Sequence, residues 1–432
     1  MYNPEQKQYI LKNSLGVSYH VYFEQGRGLC IRMLSDSRIW SRGYVLDKSA
    51  INDFSAVLDK NDIFHFFFQT RDGKLVYGHG MHGQIESRPI LGSKDPTPWP
   101  KYVSLLVMEK AVLFFYVIRY QNRYMISMQS IDEGKLSRPV AIDYIEGTYH
   151  LTFLDKKEKC HLFYVSTDKS KYHLYHRILK DDFSTFNLPV KIFSTHHGIR
   201  FISAVLTEAD KIHIAFEVSG DEFYEIMHKN LSTDESSETL YKSKTAPGHW
   251  GLVYNSGVIF FFRVVHENIY LKSSENNGTT WSDEILYPLA NNVCFSYTSN
   301  YPKDENIFAK EIPGNFSRGY QLAFLNEEKI KSIQHRKTSE PSNREITCCS
   351  NLEKKILALQ NLTDNMQKEL TKLWLTQKNF EKKLEHLSRS YSELQEQIQL
   401  RSVNDYNEEP LSEPLGDASE TAQTGEPGSN NI

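Results

Sequence analysis

Hydrophobic and aromatic residues recur in six short runs through the first 262 residues of this chain. The runs begin at residues 19, 64, 112, 160, 212 and 258, so their starts lie 45, 48, 48, 52 and 46 positions apart. Each run is rich in Phe, Tyr and β-branched residues, a composition that favours the pleated surface of a sheet. A repeat of this length predicts one structural unit for each run, stacked against its neighbours.

Each repeat predicts four strands. A short apolar strand precedes the aromatic run, a polar turn and an alternating third strand follow it, and a fourth strand begins near Pro89, Pro139 or Pro189. Alternation of apolar and polar positions is typical of a strand, and no repeat shows the 3.6-residue period of stacked helices. The pattern therefore predicts an all-β fold, a β-propeller of four-stranded blades. Three further candidate strands in residues 294–325 favour seven blades over six.

A second pattern begins at Leu352, where apolar residues alternate at steps of four and three over seven heptads without Pro or Gly. This 3.5-residue period predicts a C-terminal α-helical coiled coil and therefore a homo-oligomer, a dimer or a trimer. The alternative is a helix that folds back onto the propeller. The predicted core positions are Leu352, Ile356, Leu359, Met366, Leu370, Leu373, Phe380, Leu384, Leu387, Tyr391, Leu394 and Ile398.

The composition divides the chain into four parts. Residues 1–326 hold the predicted propeller, 327–349 a polar linker, 350–401 the coiled coil, and 402–432 an acidic tail that we expect to be disordered. The tail carries seven acidic residues and no Lys or Arg, so the formal charge of −4 leaves +3 on the rest of the chain. A charge this small does not predict a nucleic acid or a membrane surface as partner.

The five cysteines do not follow the spacing of a metal site or a disulfide framework. Cys348 and Cys349 directly precede the coiled coil, where they are free thiols in a reducing compartment or crosslinks in an oxidising one. The first residues lack the apolar core of a signal peptide, and no run of 18 apolar residues is present, so we expect a cytoplasmic protein without a membrane span. No cofactor and no metal are predicted.

Residues 274–281 resemble the Asp-box of sialidase-like β-propellers, which reads Ser-x-Asp-x-Gly-x-Thr-Trp. Asn276 stands where the motif has Asp, and Ser274, Gly278, Thr280 and Trp281 match it. The resemblance implies a structural turn between the third and fourth strands of a blade. Active sialidases use an arginine triad, a Tyr–Glu pair and an Asp, and their N-terminal Arg-Ile-Pro motif has no counterpart here. We therefore predict no catalytic residues.

Candidate ligand-binding residues cluster in the segments that lead into the first strands. Aromatic faces beside polar donors suit the recognition of sugars or peptides, although the same side chains also fill contacts between blades. The candidates are Trp99, Tyr102, Tyr149, His150, His196, His197, Arg200, His249 and Trp250.

The two patterns together predict a non-catalytic, multivalent binding protein, with propeller heads displayed on an oligomerising coiled coil. Its ligand would be a glycan or a protein, and linked copies of one site would raise the avidity. One alternative is a glycan-acting enzyme, a sialidase-like glycosidase or a lyase, with its site at the propeller mouth. Another is a structural assembly protein that contacts other proteins through the sides of the propeller.

Overall fold

The structure is a computed structural model of the 432-residue chain. It describes residues 7–92, 99–233, 236–266, 268–287, 289, 292–316, 319–325, 369, 372–374, 376–393 and 395. The chain divides into two compact units, Met1–His335 and Arg336–Ile432. The predicted linker at 327–349, the tail at 402–432 and seven of the predicted coiled-coil positions lie outside the described residues. These seven are Leu352, Ile356, Leu359, Met366, Leu370, Leu394 and Ile398.

The described part of the first unit contains 29 β-strands and one short 3-10 helix at Pro302–Asp304. In chain order the strands are β1 (Gln8–Lys12), β2 (Ser18–Glu24), β3 (Gly28–Met33), β4 (Tyr44–Asp47), β5 (Ala50–Leu58), β6 (Phe64–Thr70), β7 (Leu75–Met81), β8 (Gln84–Leu91), β9 (Ser104–Val107), β10 (Ala111–Tyr120), β11 (Arg123–Asp132), β12 (Lys135–Leu136), β13 (Val140–Ile145), β14 (His150–Leu154), β15 (Cys160–Asp168), β16 (Lys171–Ile178), β17 (Val190–Thr195), β18 (Gly198–Leu206), β19 (Ile212–Ser219), β20 (Tyr224–Asn230), β21 (Glu238–Ser243), β22 (His249–Asn255), β23 (Val258–Val265), β24 (Asn268–Ser274), β25 (Ile285–Tyr287), β26 (Val293–Ser299), β27 (Ile307–Phe308), β28 (Glu311–Asn315) and β29 (Gln321–Leu322).

Among the described residues these strands form six sheets, numbered here by their first strand. Sheet 1 contains β1–β4, sheet 2 β5–β8, sheet 3 β9–β13, sheet 4 β14–β17, sheet 5 β18–β21 and sheet 6 β22–β25. Within each sheet the chain runs back and forth between antiparallel neighbours. The six aromatic runs of the sequence lie in the second strands, β2, β6, β10, β15, β19 and β23.

The second strands are apolar on both faces because each one lies between two neighbouring sheets. Every residue of β6 is buried. Phe64, Phe66 and Phe68 pack into a core shared with sheet 1, whereas Phe67 packs into a different core shared with sheet 3. Side chains alternate across a strand, so an uninterrupted apolar run follows when both faces are covered.

The six sheets follow one another around a central channel. The first strands touch in order, β1 with β5, β5 with β9, β9 with β14, β14 with β18, and β18 with β22. The ring closes through β26, which pairs with β1 in parallel, Tyr9 opposite Ser296. Consecutive antiparallel sheets closed by strands from both ends of the unit are the arrangement of a β-propeller.

Residues 293–325 form no separate sheet among the described residues, so the predicted seventh blade is not confirmed and the blade number stays a prediction. Instead β26, β28 and β29 extend sheet 1, and β27 pairs with β22 of sheet 6. This segment covers strand edges that the ring would otherwise leave unpaired. An unpaired edge exposes backbone donors and acceptors, so covering it stabilises the closed ring.

The Asp-box-like segment forms a hydrogen-bonded turn between β24 and β25. Asn276 accepts from the backbone N–H of Thr280 through Oδ1 (2.9 Å), and Gly278 N–H donates to Ser274 Oγ (2.9 Å). Gly278 has φ +78°, a conformation that a residue without Cβ adopts at little cost. The Trp281 indole donates to a glutamate of sheet 5 at 2.6 Å, so the turn also ties two sheets together.

The described residues of the second unit, within 369–395, are helical. Five of the predicted core positions fall among them: Leu373, Phe380, Leu384, Leu387 and Tyr391. Each is at least 61% exposed, so the described part of the helix carries an apolar stripe on its surface. Nowhere in the described chain is a helix long and apolar enough to cross a membrane.

Candidate ligand site in the central channel

A cavity of about 610 Å³ occupies the central channel. Its walls come from the first strands of sheets 1 to 5 and from residues of β26, which reach it side by side because the strands converge there. The volume falls in the range of roughly 300–1,000 Å³ that is typical of small-molecule sites.

A short segment of the chain crosses this channel and supplies part of its lining. Phe308 pairs with Tyr254 on sheet 6, whereas Glu311, three residues later, pairs with Ser296 on sheet 1. The Phe308 ring meets the ring of Phe153 edge to face, with 5.6 Å between centroids. Residues 308–311 therefore reach across the ring and bring Lys310 and Glu311 into the cavity.

Glu311 forms an ion pair with His249 at the edge of the cavity, 2.8 Å from Oε2 to Nε2. Partial loss of hydration lowers the pKa of His249, but hydrogen bonds with Cys294 and Glu311 outweigh that effect and hold the pKa well above its ordinary value. Burial raises the pKa of Glu311, yet the bond to His249 and the nearby Lys310 lower it overall. The pair is therefore charged at neutral pH, with the negative charge of Glu311 compensated by His249.

Lys310 and Lys7 both line the cavity. Burial and repulsion by Lys7 lower the pKa of Lys310 to about 8. No carboxylate of the described residues lies within ion-pair distance of its ammonium group. Lys7 is exposed, and its Nζ makes a long hydrogen bond of 3.5 Å to the carbonyl of Val103. The cavity thus contains two ammonium groups without a direct counter-ion in the described chain.

His150 is a third basic group in the wall of the cavity. Its side chain is 6% exposed, and neither ring nitrogen has a hydrogen-bond partner of good geometry among the described residues. Burial, together with Lys310, lowers its pKa to about 3, so the imidazole is neutral. A buried polar group without a hydrogen-bond partner is uncommon in a folded protein and is a candidate for contact with a ligand.

Asp53 organises one side of the cavity from the middle of β5. Its carboxylate accepts from the backbone N–H groups of Lys101 (2.6 Å), Tyr102 (2.8 Å) and Val103 (3.0 Å). Tyr102 has φ +51°, an unusual backbone conformation for a residue with a side chain, and these bonds hold it. Asp53 is 5% exposed, and besides holding these backbone groups its charge raises the pKa of Lys7.

Three of the residues predicted from the sequence line the cavity: Tyr102, Tyr149 and His150. The Tyr149 hydroxyl donates to the carbonyl of Ile202 at 2.7 Å. Trp99 is 63% exposed and lines a neighbouring cavity of about 280 Å³, which Tyr102 also lines. His249 reaches the rim through its ion pair.

The remaining predicted residues are not among those that line the central cavity. Trp250 is 2% exposed and donates from Nε1 to Glu217 (3.0 Å), so it belongs to the packing between sheets 5 and 6. His196, His197 and Arg200 are exposed around the short turn between β17 and β18. The first strand of sheet 5 has a bulge between Ile199 and Ile202, and this part of it lies away from the described cavity.

The charged residues of the cavity were not among the predicted residues. Lys310 and Glu311 enter the channel only because the segment after β27 crosses it, and no repeat pattern signals such a crossing. Asp53 did leave a signal in the sequence, since it is the one acidic residue of a first strand whose other residues, apart from Asn52 and Ser55, are apolar. Within the described residues, no group of three or more His, Cys, Asp or Glu is arranged to hold a metal ion.

Comparison with known proteins identifies no family: no known family and no curated protein matches the chain. Among solved structures, an ulvan lyase of the polysaccharide lyases shares 12% identity, with a TM-score of 0.48 over 71% of this chain and 89% of its own. A mutant of the Aleuria aurantia lectin in complex with Fucα1-6GlcNAc shares 10% identity, with a TM-score of 0.44 over 66% of this chain and 96% of its own. An endo-arabinase from Bacteroides thetaiotaomicron shares 13%, with a TM-score of 0.32 over 54% and 92%. Because these three TM-scores lie below 0.5, the class of the protein rests on the sheet topology alone.

Proposed function

We propose that this chain is a multivalent binding protein whose propeller binds a glycan in the central channel and whose C-terminal helix joins several copies. The observation that carries the proposal is the cavity of about 610 Å³ at the convergence of the first strands. Tyr102 and Tyr149 give it aromatic faces, and Lys7, Lys310 and His150 give it hydrogen-bonding groups. Aromatic surface beside polar groups at fixed positions suits the alternating apolar and hydroxylated faces of a sugar ring.

The carboxylates near the cavity favour binding over hydrolysis. Asp53 is engaged by three backbone N–H groups, and Glu311 is paired with His249 at 2.8 Å. A glycosidase of the usual design needs one carboxyl group as proton donor and a second as base or nucleophile, both directed at the scissile bond. Two carboxylates already committed to protein partners support a binding role.

The exposed stripe on the C-terminal helix supports the multivalent part of the proposal. Leu373, Phe380, Leu384, Leu387 and Tyr391 lie at steps of seven, four, three and four, the spacing of one seam of a coiled coil. The same stripe on another copy of the chain has this spacing, so we take it as the surface against which the stripe packs. Several propellers on one stalk would bind a repetitive glycan with an avidity of roughly 10²–10⁴ over a single site, provided that the copies engage together.

A glycan array read with the full-length chain tests this proposal. The comparison variant carries Leu384→Asp and Leu387→Asp, which place two charges in the seam, and the matched control carries Lys383→Gln and Glu385→Gln on exposed positions of the same turn. Sedimentation should show an oligomer for the wild type and the control and a monomer for the seam variant. Glycan binding should be strong for the first two and weaker by at least tenfold for the monomer.

Two outcomes would contradict the proposal in different ways. Equal binding by monomer and oligomer would remove multivalency and leave a single-site binding protein. Absence of binding to any glycan, with an unchanged circular dichroism spectrum, would remove the sugar ligand and favour a protein partner or an assembly role.

A second candidate function is a glycan-acting enzyme, favoured by the His249–Glu311 pair at the rim of the cavity. His249 is 44% exposed, so an imidazole held charged by a carboxylate is accessible to a ligand as a proton donor. The glycans bound on the array should be incubated with the protein and assayed for new reducing ends and for absorbance of an unsaturated sugar. Product that disappears with His249→Gln would establish the enzyme in place of the binding protein.

A further inference from the structure

We infer that the channel is a site for an anionic group of the ligand, a carboxylate or a sulfate ester, bound between Lys7 and Lys310. This inference rests on the proposed glycan-binding function and specifies the chemical class of the ligand. It follows from the charged groups that face the cavity, from the partners that these groups already have, and from the His150 ring nitrogens in the wall, which lack hydrogen-bond partners of good geometry among the described residues.

The charge balance of the channel is positive where a ligand would lie. Four charged groups face Lys310 or its immediate neighbours: Lys7 from the start of sheet 1, Asp53 from sheet 2, His249 from sheet 6, and Glu311 from the crossing segment. Asp53 keeps its negative charge while it accepts from three backbone N–H groups, and the charges of Glu311 and His249 compensate each other. Lys7 and Lys310 together outweigh Asp53, which leaves a net charge of +1 while Lys310 is protonated, and Lys7 lies close enough to lower the pKa of Lys310.

Like charges held together at the edge of a cavity are destabilising unless an anion completes the site. A bound carboxylate or sulfate would receive hydrogen bonds from both ammonium groups and remove their mutual repulsion. Such bonds are stronger in a site with protein walls than in open water, because the effective dielectric constant is lower. A neutral hydroxyl at the same position would gain much less.

His150 contributes a neutral polar group next to the two lysines. Its ring is buried in the wall of the same cavity, and its nitrogens lack partners of good geometry among the described residues. A neutral imidazole has one donor and one acceptor nitrogen, so it orients a ligand without adding charge. We expect it to contact a ring hydroxyl next to the anionic group.

Three methyl glycosides that differ only at C6 test the inference: methyl β-glucoside, methyl β-glucuronide and methyl β-glucoside 6-sulfate. Each is titrated by NMR or calorimetry into the full-length wild-type chain. The anionic compounds should bind about tenfold more tightly than the neutral one, the gain expected for charge-assisted hydrogen bonds. The ratio between glucuronide and sulfate tells which of the two anions the site prefers.

A pair of charge-matched variants locates the site. Lys310→Gln should reduce the preference for the anionic glycosides to less than about threefold. Lys74→Gln removes the same charge from an exposed turn, where Lys74 pairs with Asp72, and should leave the preference unchanged. Both variants should show the wild-type circular dichroism spectrum.

The wild-type chain alone provides an independent readout through pH. With a pKa of about 8, Lys310 loses its proton between pH 7 and pH 9, whereas Lys7 stays charged because its interactions with Tyr9 and Asp53 raise its pKa overall. Burial holds His150 and Tyr149 neutral throughout. Binding of the glucuronide should therefore weaken about fivefold from pH 7 to pH 9, while binding of the glucoside stays constant.

The outcomes separate this inference from the proposed function. Equal affinities for the three glycosides would overturn the anion site and leave glycan binding intact. Binding of none of them, with a negative glycan array, would overturn both. An anion preference that survives Lys310→Gln and the change to pH 9 would place the anion elsewhere and overturn the site described here.

Discussion

Replacement of Asp53 by Ala should destabilise the propeller and free the backbone at residues 101–103, which forms one wall of the channel. The Asp53 carboxylate accepts hydrogen bonds from three consecutive backbone N–H groups, those of Lys101, Tyr102 and Val103. The N–H of Lys101 also donates to the Gln69 side chain at 2.9 Å, so it keeps a partner after the substitution. The N–H groups of Tyr102 and Val103 have no second acceptor among the described contacts and would be left without one.

The magnitude follows from those two groups. A buried donor left unsatisfied costs about 1–3 kcal/mol, so two of them give a loss of about 2–6 kcal/mol in the free energy of unfolding. Asp53→Asn retains one acceptor oxygen and should lose about half as much. Tyr102, which the bonds hold at φ +51°, should relax, and glycan binding in the channel should weaken with it.

Urea unfolding followed by tryptophan fluorescence measures this loss. The matched control is Asp221→Ala, which removes a carboxylate at an exposed position after β19 and should change the stability by less than about 0.5 kcal/mol. A loss of under about 1 kcal/mol for Asp53→Ala would refute the reasoning, because it would mean that water or a rearranged loop satisfies the released N–H groups.

Three further predictions concern stability. Gly278→Ala should cost about 1–3 kcal/mol in urea unfolding, because φ is +78° and the added Cβ would lie 2.5 Å from the His228 ring, whereas Gly83→Ala, with positive φ but open space, should cost less. Trp281→Phe should cost about 1 kcal/mol in urea unfolding by removing the bond to Glu238, and Glu238→Ala should cost more, because Glu238 also pairs with His228 at 2.8 Å. Stability should fall as the pH drops below about 6.5, because burial lowers the pKa of His150 and of His213 to about 3 and the unfolded chain takes up those protons first. The slope should approach 1.4 kcal/mol per pH unit for each group, and His213→Asn should reduce it in urea unfolding measured from pH 7 to pH 4.5.

The six aromatic runs could be predicted as strands because their environment is the same in every repeat. A strand such as β6, covered on both faces by neighbouring sheets, needs apolar residues throughout, and that requirement is visible in the sequence. The sheets that the strands of residues 293–325 join could not be predicted in the same way. A strand that extends an existing sheet has the same composition as one that starts a new sheet, and the choice depends on which edges the closed ring leaves free.

The residues of the candidate site could be predicted only where they occupy a position that recurs in every repeat. Tyr102, Tyr149 and His150 were found because they lie at the beginning of first strands, which converge on the channel in every sheet. Lys310 and Glu311 were missed because they arrive on a segment outside the repeat. Trp250 occupies a repeat position of the predicted kind, but its side chain turns into the contact between sheets, where Glu217 accepts its N–H. Successive side chains of a strand point to opposite faces, so the contact that a residue makes depends on the register of its strand, which the pattern does not reveal.

The closure of the ring by β1 and β26 has a consequence for synthesis of the chain on the ribosome. Tyr9 pairs with Ser296, so nearly three hundred further residues must be synthesised before the partner of the first strand exists. At roughly 5–20 residues per second, this delay is on the order of 15–60 s, during which the edge of β1 is open to other chains. Lys310 and Glu311 emerge later still, so a nascent chain has a nearly complete set of sheets before it has the charged groups of the channel.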